Sequence, residues 1–254
     1  MRDPLVSAPA LVVVAHGSRD PRSARSVRQI VAGTRTLRPD LRIEPAFLDH
    51  VGPDLDTVFD RVVAKGFTEV VVVPLLLSSA YHARVDVPEV VAHASSRHPD
   101  VGVRVADVVG CDAALLAILD ERLREALRTA RVRELDALVL AAAGSSDSRA
   151  NAMVARLARV WGSRHRLPTS VAFASAAPPS TGEAVREWRR QGRRHVAVGS
   201  FFIASGTLPD RASELALEAG AVAVSEPLGA HPELARVILA RYSVGALQLV
   251  DIPA

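Results

Sequence analysis

The stretch VVVAHGSRD, residues 12–20, carries the fold signal from which the rest of the chain can be interpreted. An apolar run of valines and an alanine ends at His16, and Gly17 and Ser18 follow directly. Uniformly apolar runs of this length are typical of strands covered on both faces, as in a parallel sheet between helices. The imidazole therefore stands at the carboxyl end of a predicted buried strand.

Short β-branched runs then alternate with longer amphipathic segments. The predicted strands of the first half are Leu11–Ala15, Leu41–Phe47, Glu69–Pro74 and Val101–Ala106. The predicted helices are Ser23–Leu37, Leu55–Lys65, Val87–Arg97 and Ala113–Arg131, the last of which is expected to close the first half. This alternation predicts an α/β fold with a mainly parallel sheet flanked by helices.

The second half of the chain repeats this pattern. AAAGSSDSRAN, residues 141–151, can be laid over VAHGSRDPRSA, residues 14–24, after a predicted strand at Asp136–Ala142. SVAFASA, residues 170–176, likewise matches EPAFLDH, residues 44–50.

Glycines keep nearly the same spacing between the two halves. Gly144 lies 127 residues after Gly17, and Gly192 lies 126 residues after Gly66. We therefore predict two tandem, similar domains, residues 1–132 and 133–254, that arose by duplication.

Composition excludes several classes of protein. Of the 254 residues 49% are hydrophobic, yet no apolar run approaches the roughly 20 residues needed to span a bilayer. MRDPLVSAPA, residues 1–10, lacks the apolar core of a secretory signal, and Cys111 is the single cysteine. We therefore expect a cytoplasmic protein without disulfides and without membrane association.

The charge balance favours a small anionic partner. The net charge is +3 with a pI near 9.7, but basic and acidic residues are interspersed and aromatic residues make up only 4% of the chain. Nucleic-acid binding usually requires a clustered basic face with stacking aromatics, so we do not expect it here.

Corresponding positions of the two halves can be compared: a residue that the fold requires should have a similar residue at the equivalent position. His16 corresponds to Ala143, so an imidazole is not required at this strand end. Asp49 corresponds to Ser175. Each residue also has a purely structural interpretation, because strand-end histidines are often hydrogen-bonded and aspartates often cap turns.

A second histidine lies in PLLLSSAYHARVDVPE, residues 74–89, after another predicted strand. His82 precedes a helix that Asp86 is expected to cap, and the corresponding SFFIASGTLPDRASE, residues 200–214, contains no histidine. The alternative is a solvated loop histidine. His50, which follows Asp49, is expected to point elsewhere.

Ligands of doubly wound sheets bind outside the carboxyl ends of the strands. His16, Asp49 and His82 are expected to meet at one such edge. Imidazole and carboxylate are suitable ligands for divalent first-row metals, and histidine also accepts protons near neutral pH. We predict a metal-handling site in the first half only.

AHGSRD, AFLDH and VVVPLLLSSAYHARVDVPE together resemble the sirohydrochlorin chelatases, the class II chelatases that insert a divalent metal into a reduced tetrapyrrole without ATP. The resemblance implies that His16 and His82 bind the metal. Asp49 stands where relatives have glutamate, and Val85 stands where some have a further histidine. The two-domain form resembles the long members of this class.

The resemblance also implies a mechanism for a lyase of siroheme or cobalamin biosynthesis. A cleft between the halves would receive the carboxylate-rich macrocycle, and His16, His82 and Asp49 would hold the ion and accept the pyrrole protons. The expected carboxylate-binding residues are Ser18, Arg19, Arg22 and Arg84, since guanidinium pairs well with carboxylate. The metal is a substrate, no permanently bound cofactor is implied, and a monomer is expected.

Three alternatives remain open at this point. Ligand types do not distinguish ferrous iron, which we prefer because siroheme is the more widespread need, from cobalt or nickel. A tetrapyrrole or metal carrier would bind through the same histidines without turnover. A phosphoryl-transfer enzyme is disfavoured because neither glycine-rich phosphate-binding motif is present.

Overall fold

The computed structural model describes residues 8–78 and 87–249. Strands and helices alternate along the chain, as predicted. The strands are β1 Ala10–Ala15, β2 Ile43–Phe47, β3 Glu69–Pro74, β4 Gly102–Val105, β5 Ala137–Ala142, β6 Thr169–Phe173, β7 Val196–Ser200 and β8 Ala223–Val224. The helices are α1 Pro21–Leu37, α2 Leu55–Val63, α3 Val87–Ser96, α4 Leu115–Thr129, α5 Ser148–His165, α6 Thr181–Arg190, α7 Thr207–Glu218 and α8 Pro232–Leu247.

The strands form two parallel four-stranded sheets with the same topology. The strand orders are β2-β1-β3-β4 and β6-β5-β7-β8, so β1 and β5 occupy equivalent central positions. Their registers also agree, because Val13 pairs with Val73 in the first sheet and Leu140 with Gly199 in the second. The predicted fold class and internal duplication are therefore confirmed.

Burial explains why β1 is uniformly apolar. Val12 and Val14 pack with α2 and α3 on one face, while Leu11 and Val13 point to the other face, and all four are fully buried. Side chains alternate between faces in a strand, so a sheet covered on both sides requires apolar residues throughout. Pro45 is tolerated in β2 because that strand lies at the sheet edge.

The chain divides into two compact units, and the division does not fall after residue 132, where the domain boundary was predicted. One unit extends to Gly110 and resumes at Leu234, and the other is Cys111–Glu233. Helix α4, which was expected to close the first half, packs on β7 and β8 instead. Helix α8 belongs to the unit built on the first sheet.

Small residues fit these two helices to their sheets. In β7, a Cβ on Gly199 would lie 2.6 Å from Trp161 and 3.1 Å from Leu119 of α4. In α8, a Cβ on Gly245 would lie 2.7 Å from the Val71 side chain of β3. The absence of a side chain at each glycine lets helix and sheet approach closely.

Helix α8 is also held by polar contacts within its own unit. The Tyr242 hydroxyl donates to the Pro9 carbonyl oxygen at 2.7 Å, and Arg241 Nε donates to the Val108 carbonyl oxygen at 3.0 Å. Burial raises the pKa of the Tyr242 phenol. No helix in the described part of the chain is long and apolar enough to cross a membrane.

The packing of Gly245 predicts opposite effects for two glycine substitutions in helices. Gly33→Ala in α1 meets nothing within 4 Å and should raise the free energy of unfolding by roughly 0.5–1 kcal/mol. Gly245→Ala should lower it by roughly 1–3 kcal/mol, because the added methyl group overpacks Val71. Urea unfolding of both variants tests this, and stabilisation by Gly245→Ala would contradict the close packing of α8 on β3.

Candidate metal centre

His16 lies where β1 leaves the first sheet, between the loops that follow two neighbouring strands. It is partly buried, and its Nδ1 lies 3.3 Å from the Gly17 carbonyl oxygen. The amide of Asp49 donates to the His16 carbonyl oxygen at 2.9 Å, which ties the loop after β2 to this strand end. The strand end that carries His16 and the turn that carries Asp49 therefore lie together at the carboxyl edge of the sheet.

Gly17 permits this close approach of the two loops. Its φ is +95°, and a Cβ at this position would lie 1.9 Å from the Asp49 carbonyl oxygen. Gly144 in the second half has a φ of +86° and would meet the Ser175 carbonyl oxygen at 2.0 Å. The backbone arrangement belongs to both halves, whereas His16 and Asp49 occur only in the first.

The segment that follows β3 begins beside β1. The amide of Leu75 donates to the Val14 carbonyl oxygen at 2.7 Å, two residues before His16. His82, Arg84 and the expected cap Asp86 lie outside the described residues. Among the described residues, no group of three or more His, Cys, Asp or Glu side chains is arranged to hold a metal ion.

The Asp49 carboxylate is directed into its own turn. Oδ1 accepts from the His50 amide at 2.6 Å and lies 3.4 Å from His50 Nδ1, while 63% of the side chain is exposed. The His50 ring centroid lies 6.5 Å from that of His16, so the prediction that His50 points elsewhere was wrong. Comparison of the two halves, which singled out His16, also distinguishes His50, because the second half has Ala176 at the corresponding position.

The predicted carboxylate-binding groups near α1 make contacts within their own loop. The Ser18 hydroxyl accepts from the Asp20 amide at 3.1 Å, and the Asp20 carboxylate accepts from the Arg22 amide at 2.9 Å. Ser145 and Asp147 repeat both contacts at 3.0 and 2.9 Å. Ser18 and these amides thus form a turn common to both halves.

Charge at this turn is partly neutralised. The Arg22 guanidinium pairs with Asp20 at 2.5 Å, and its hydrogen bonds hold the pKa of that carboxyl below its usual range. Arg22 is half exposed and corresponds to Arg149, while the exposed Arg19 corresponds to Ser146. Of the described candidates for substrate carboxylates, Arg19 is therefore the one that distinguishes the first half.

Comparison with known proteins identifies the family. The family model CbiX matches residues 10–126 and again residues 137–244. The chain belongs to the CbiX family. The model matches each half of this CbiX chain once, and each match contains the turn that joins the central strand to the next helix, β1 to α1 or β5 to α5.

Relatives of this CbiX chain include two proteins from Priestia megaterium. It is 27% identical to the sirohydrochlorin ferrochelatase over 237 residues, which cover 90% of this chain and 87% of the relative. It is 27% identical to the sirohydrochlorin cobaltochelatase over 212 residues, which cover 81% of this chain and 68% of the relative. The chain is equally identical to the ferrochelatase and to the cobaltochelatase, so sequence identity does not distinguish iron from cobalt as its metal.

The fold of the CbiX chain also matches a solved structure. The sirohydrochlorin chelatase SirB from Bacillus subtilis subspecies spizizenii, in complex with cobalt, superimposes with a TM-score of 0.78 at 21% identity. The match covers 95% of this chain and 96% of that one. The two-sheet architecture is therefore shared along nearly the whole chain.

The close contact at Gly17 predicts matched effects in the two halves. Gly17→Ala and Gly144→Ala should each lower the free energy of unfolding by roughly 1–3 kcal/mol or more, because each adds a clash to a positive φ. Only Gly17→Ala should also impair metal chemistry, since it displaces Asp49. Denaturant unfolding and a metal-insertion assay separate the two effects. A Gly17→Ala protein with wild-type stability would be incompatible with this contact.

Asp54, which caps α2 after the Asp49–His50 turn, is expected to contribute to the free energy of unfolding in a pH-dependent way. Hydrogen bonds from Thr57, one to Oδ1 at 2.8 Å, lower the pKa of Asp54. Asp54→Ala should lower the free energy of unfolding by about 1 kcal/mol at neutral pH, because the helix loses its cap. Because the folded-state pKa is depressed, this contribution is present above the unfolded-state pKa and is lost as pH falls through the folded-state pKa.

Denaturant unfolding as a function of pH measures this contribution. Asp54→Asn is the matched control, since asparagine caps comparably but does not titrate in this range. The difference in free energy of unfolding between Asp54→Asn and Asp54→Ala should remain constant with pH. A wild-type advantage over Asp54→Ala that persists undiminished in acid would contradict the assignment.

Proposed function

We propose that this chain inserts a divalent metal into sirohydrochlorin without ATP, with ferrous iron as the preferred metal and cobalt as the second. One observation carries the proposal: within a chain of the CbiX family, His16 stands at the carboxyl end of central strand β1, whereas the duplicated strand ends in Ala143. An imidazole that the fold does not require is available for chemistry. The relatives named for this reaction support it.

Metal insertion needs groups that hold the ion and groups that accept two ring protons. With a proton on Nδ1, next to the Gly17 carbonyl oxygen, His16 presents the Nε2 lone pair as a ligand. We assign His82 the same role on the strength of the resemblance. Asp49, whose amide donates to the His16 carbonyl oxygen, brings a negative charge to this edge of the sheet, which favours a bound cation.

The second half serves a different purpose in this proposal. Ala143 and Ser175 replace His16 and Asp49, so we assign one metal site to each chain. Arg19, Arg22 and Arg84, with Ser18, remain the proposed contacts to substrate carboxylates. Among these, Arg19 has the best claim, because its side chain is exposed and the second half has Ser146 in its place. The monomeric state and the cytoplasmic location stay predictions.

Two alternatives follow from the same site. A carrier would bind metal or tetrapyrrole through His16 without releasing product, and a nickel chelatase would differ only in the ion inserted. Imidazole and carboxylate ligands do not discriminate among iron, cobalt and nickel. Turnover with each ion distinguishes all of these functions.

Anaerobic turnover of sirohydrochlorin with ferrous, cobaltous and nickel ions is the deciding measurement, followed through the absorption change of the ring. Wild type should complete many turnovers per chain. His16→Ala should lose roughly 10²-fold or more in rate, the usual contribution of a proton-transfer group, and should stay folded because Ala143 occupies the equivalent position.

His195→Ala is the matched control for loss of an imidazole. His195 is also partly exposed and lies 3.8 Å from a carboxylate, that of Asp136, in the unit without the proposed site. This variant should retain wild-type turnover. A stoichiometric spectral change without turnover would support a carrier, and wild-type rates in His16→Ala would overturn the assignment of His16.

A further inference from the structure

The turn after β2 presents a second imidazole next to His16. His50 adopts a φ of 66°, in the left-handed region that few non-glycine residues occupy. Ala176 in the second half has a φ of 59°, so the backbone conformation belongs to the duplicated fold. The side chain does not: one turn carries an imidazole and the other a methyl group.

Asp49 orients this imidazole. Its Oδ1 accepts from the His50 amide at 2.6 Å and lies 3.4 Å from Nδ1 of the same residue. A carboxylate near one ring nitrogen fixes the proton there and leaves the other nitrogen as a lone-pair donor, which is the usual support for a metal-binding histidine. With the proton on Nδ1, towards the Asp49 carboxylate, Nε2 of His50 is the atom left to bind a metal.

The two rings are close enough to share one ion. Metal–nitrogen bonds of about 2.0–2.1 Å place the centroids of two histidines on one ion roughly 5 Å apart. The centroids of His16 and His50 are 6.5 Å apart with planes inclined by 49°. Small rotations of the His50 and Asp49 side chains together, which are 31% and 63% exposed, close the remaining distance of about 1–2 Å.

We propose that His50 is a further ligand for the incoming divalent metal, bound through Nε2 beside His16, and that Asp49 acts as its positioning residue. This inference rests on the proposed function, since it specifies how the same site captures its metal substrate. It assigns the Asp49 carboxylate to the His50 ring, the group that it contacts, instead of to the metal itself.

Equilibrium binding of Co²⁺ to the full chain tests the proposal without any tetrapyrrole. Visible absorption of bound Co²⁺ reports the ligands, and a titration reports the affinity. His50→Ala should weaken Co²⁺ binding by roughly 10-fold or more and change the absorption band, because one nitrogen donor is lost. Folding should be retained, since Ala176 already adopts the same backbone conformation. His195→Ala should bind Co²⁺ as wild type does.

A double-mutant cycle tests the positioning role of Asp49. Asp49→Ala should weaken Co²⁺ binding by roughly 10-fold in the wild-type background but cause little further loss in the His50→Ala background. Additive losses would mean that Asp49 acts independently of His50 and would overturn its positioning role. Co²⁺ affinity and absorption unchanged in His50→Ala would overturn the ligand assignment.

These outcomes are separable from the proposed function. A wild-type protein that turns over sirohydrochlorin but binds Co²⁺ independently of His50 refutes only the ligand assignment. A protein whose Co²⁺ binding depends on His50, but which completes no turnover with any of the three ions, supports the ligand assignment and refutes the chelatase proposal.

Discussion

The contact between Gly17 and the backbone of Asp49 is the constraint on which the candidate site depends. Any side chain at residue 17 would overlap the Asp49 carbonyl oxygen, and the positive φ is disfavoured for other residues. This contact brings the strand end that bears His16 against the turn that bears Asp49 and His50. Without it, His16 after β1 and the Asp49–His50 turn after β2 would not be held together.

The duplication acts as an internal control for this arrangement. Gly144 and Ser175 reproduce the contact, Ser145 and Asp147 reproduce the turn that begins α1, and Ala176 reproduces the unusual φ of His50. Both halves therefore build the same backbone edge. The side chains differ: imidazoles and a carboxylate stand in the first half where the second half has small residues, so the fold does not require them.

The assignment of helices to sheets shows how packing completes the fold. Helices α4 and α8 each bury several apolar side chains, and apolar residues specify that a helix is covered but not by which sheet. Gly199 leaves room for Leu119 and Trp161 on the second sheet, and Gly245 lets α8 approach Val71 on the first. Complementary shape, which involves residues distant in the chain, makes the choice.

The sequence by itself determined the alternation of strands and helices, the duplication and the contrast between His16 and Ala143, because periodicity, glycine spacing and pairwise comparison are properties of the chain alone. Only the tertiary structure decided which unit takes α4 and α8, that Ser18 and Arg22 contact Asp20, and that His50 lies beside His16. The direction of His50 depends on a positive φ and on the contact with Asp49. The placement of His50 beside His16 cannot be inferred from residue order, because the loops after β1 and β2 meet only when these parallel strands lie side by side.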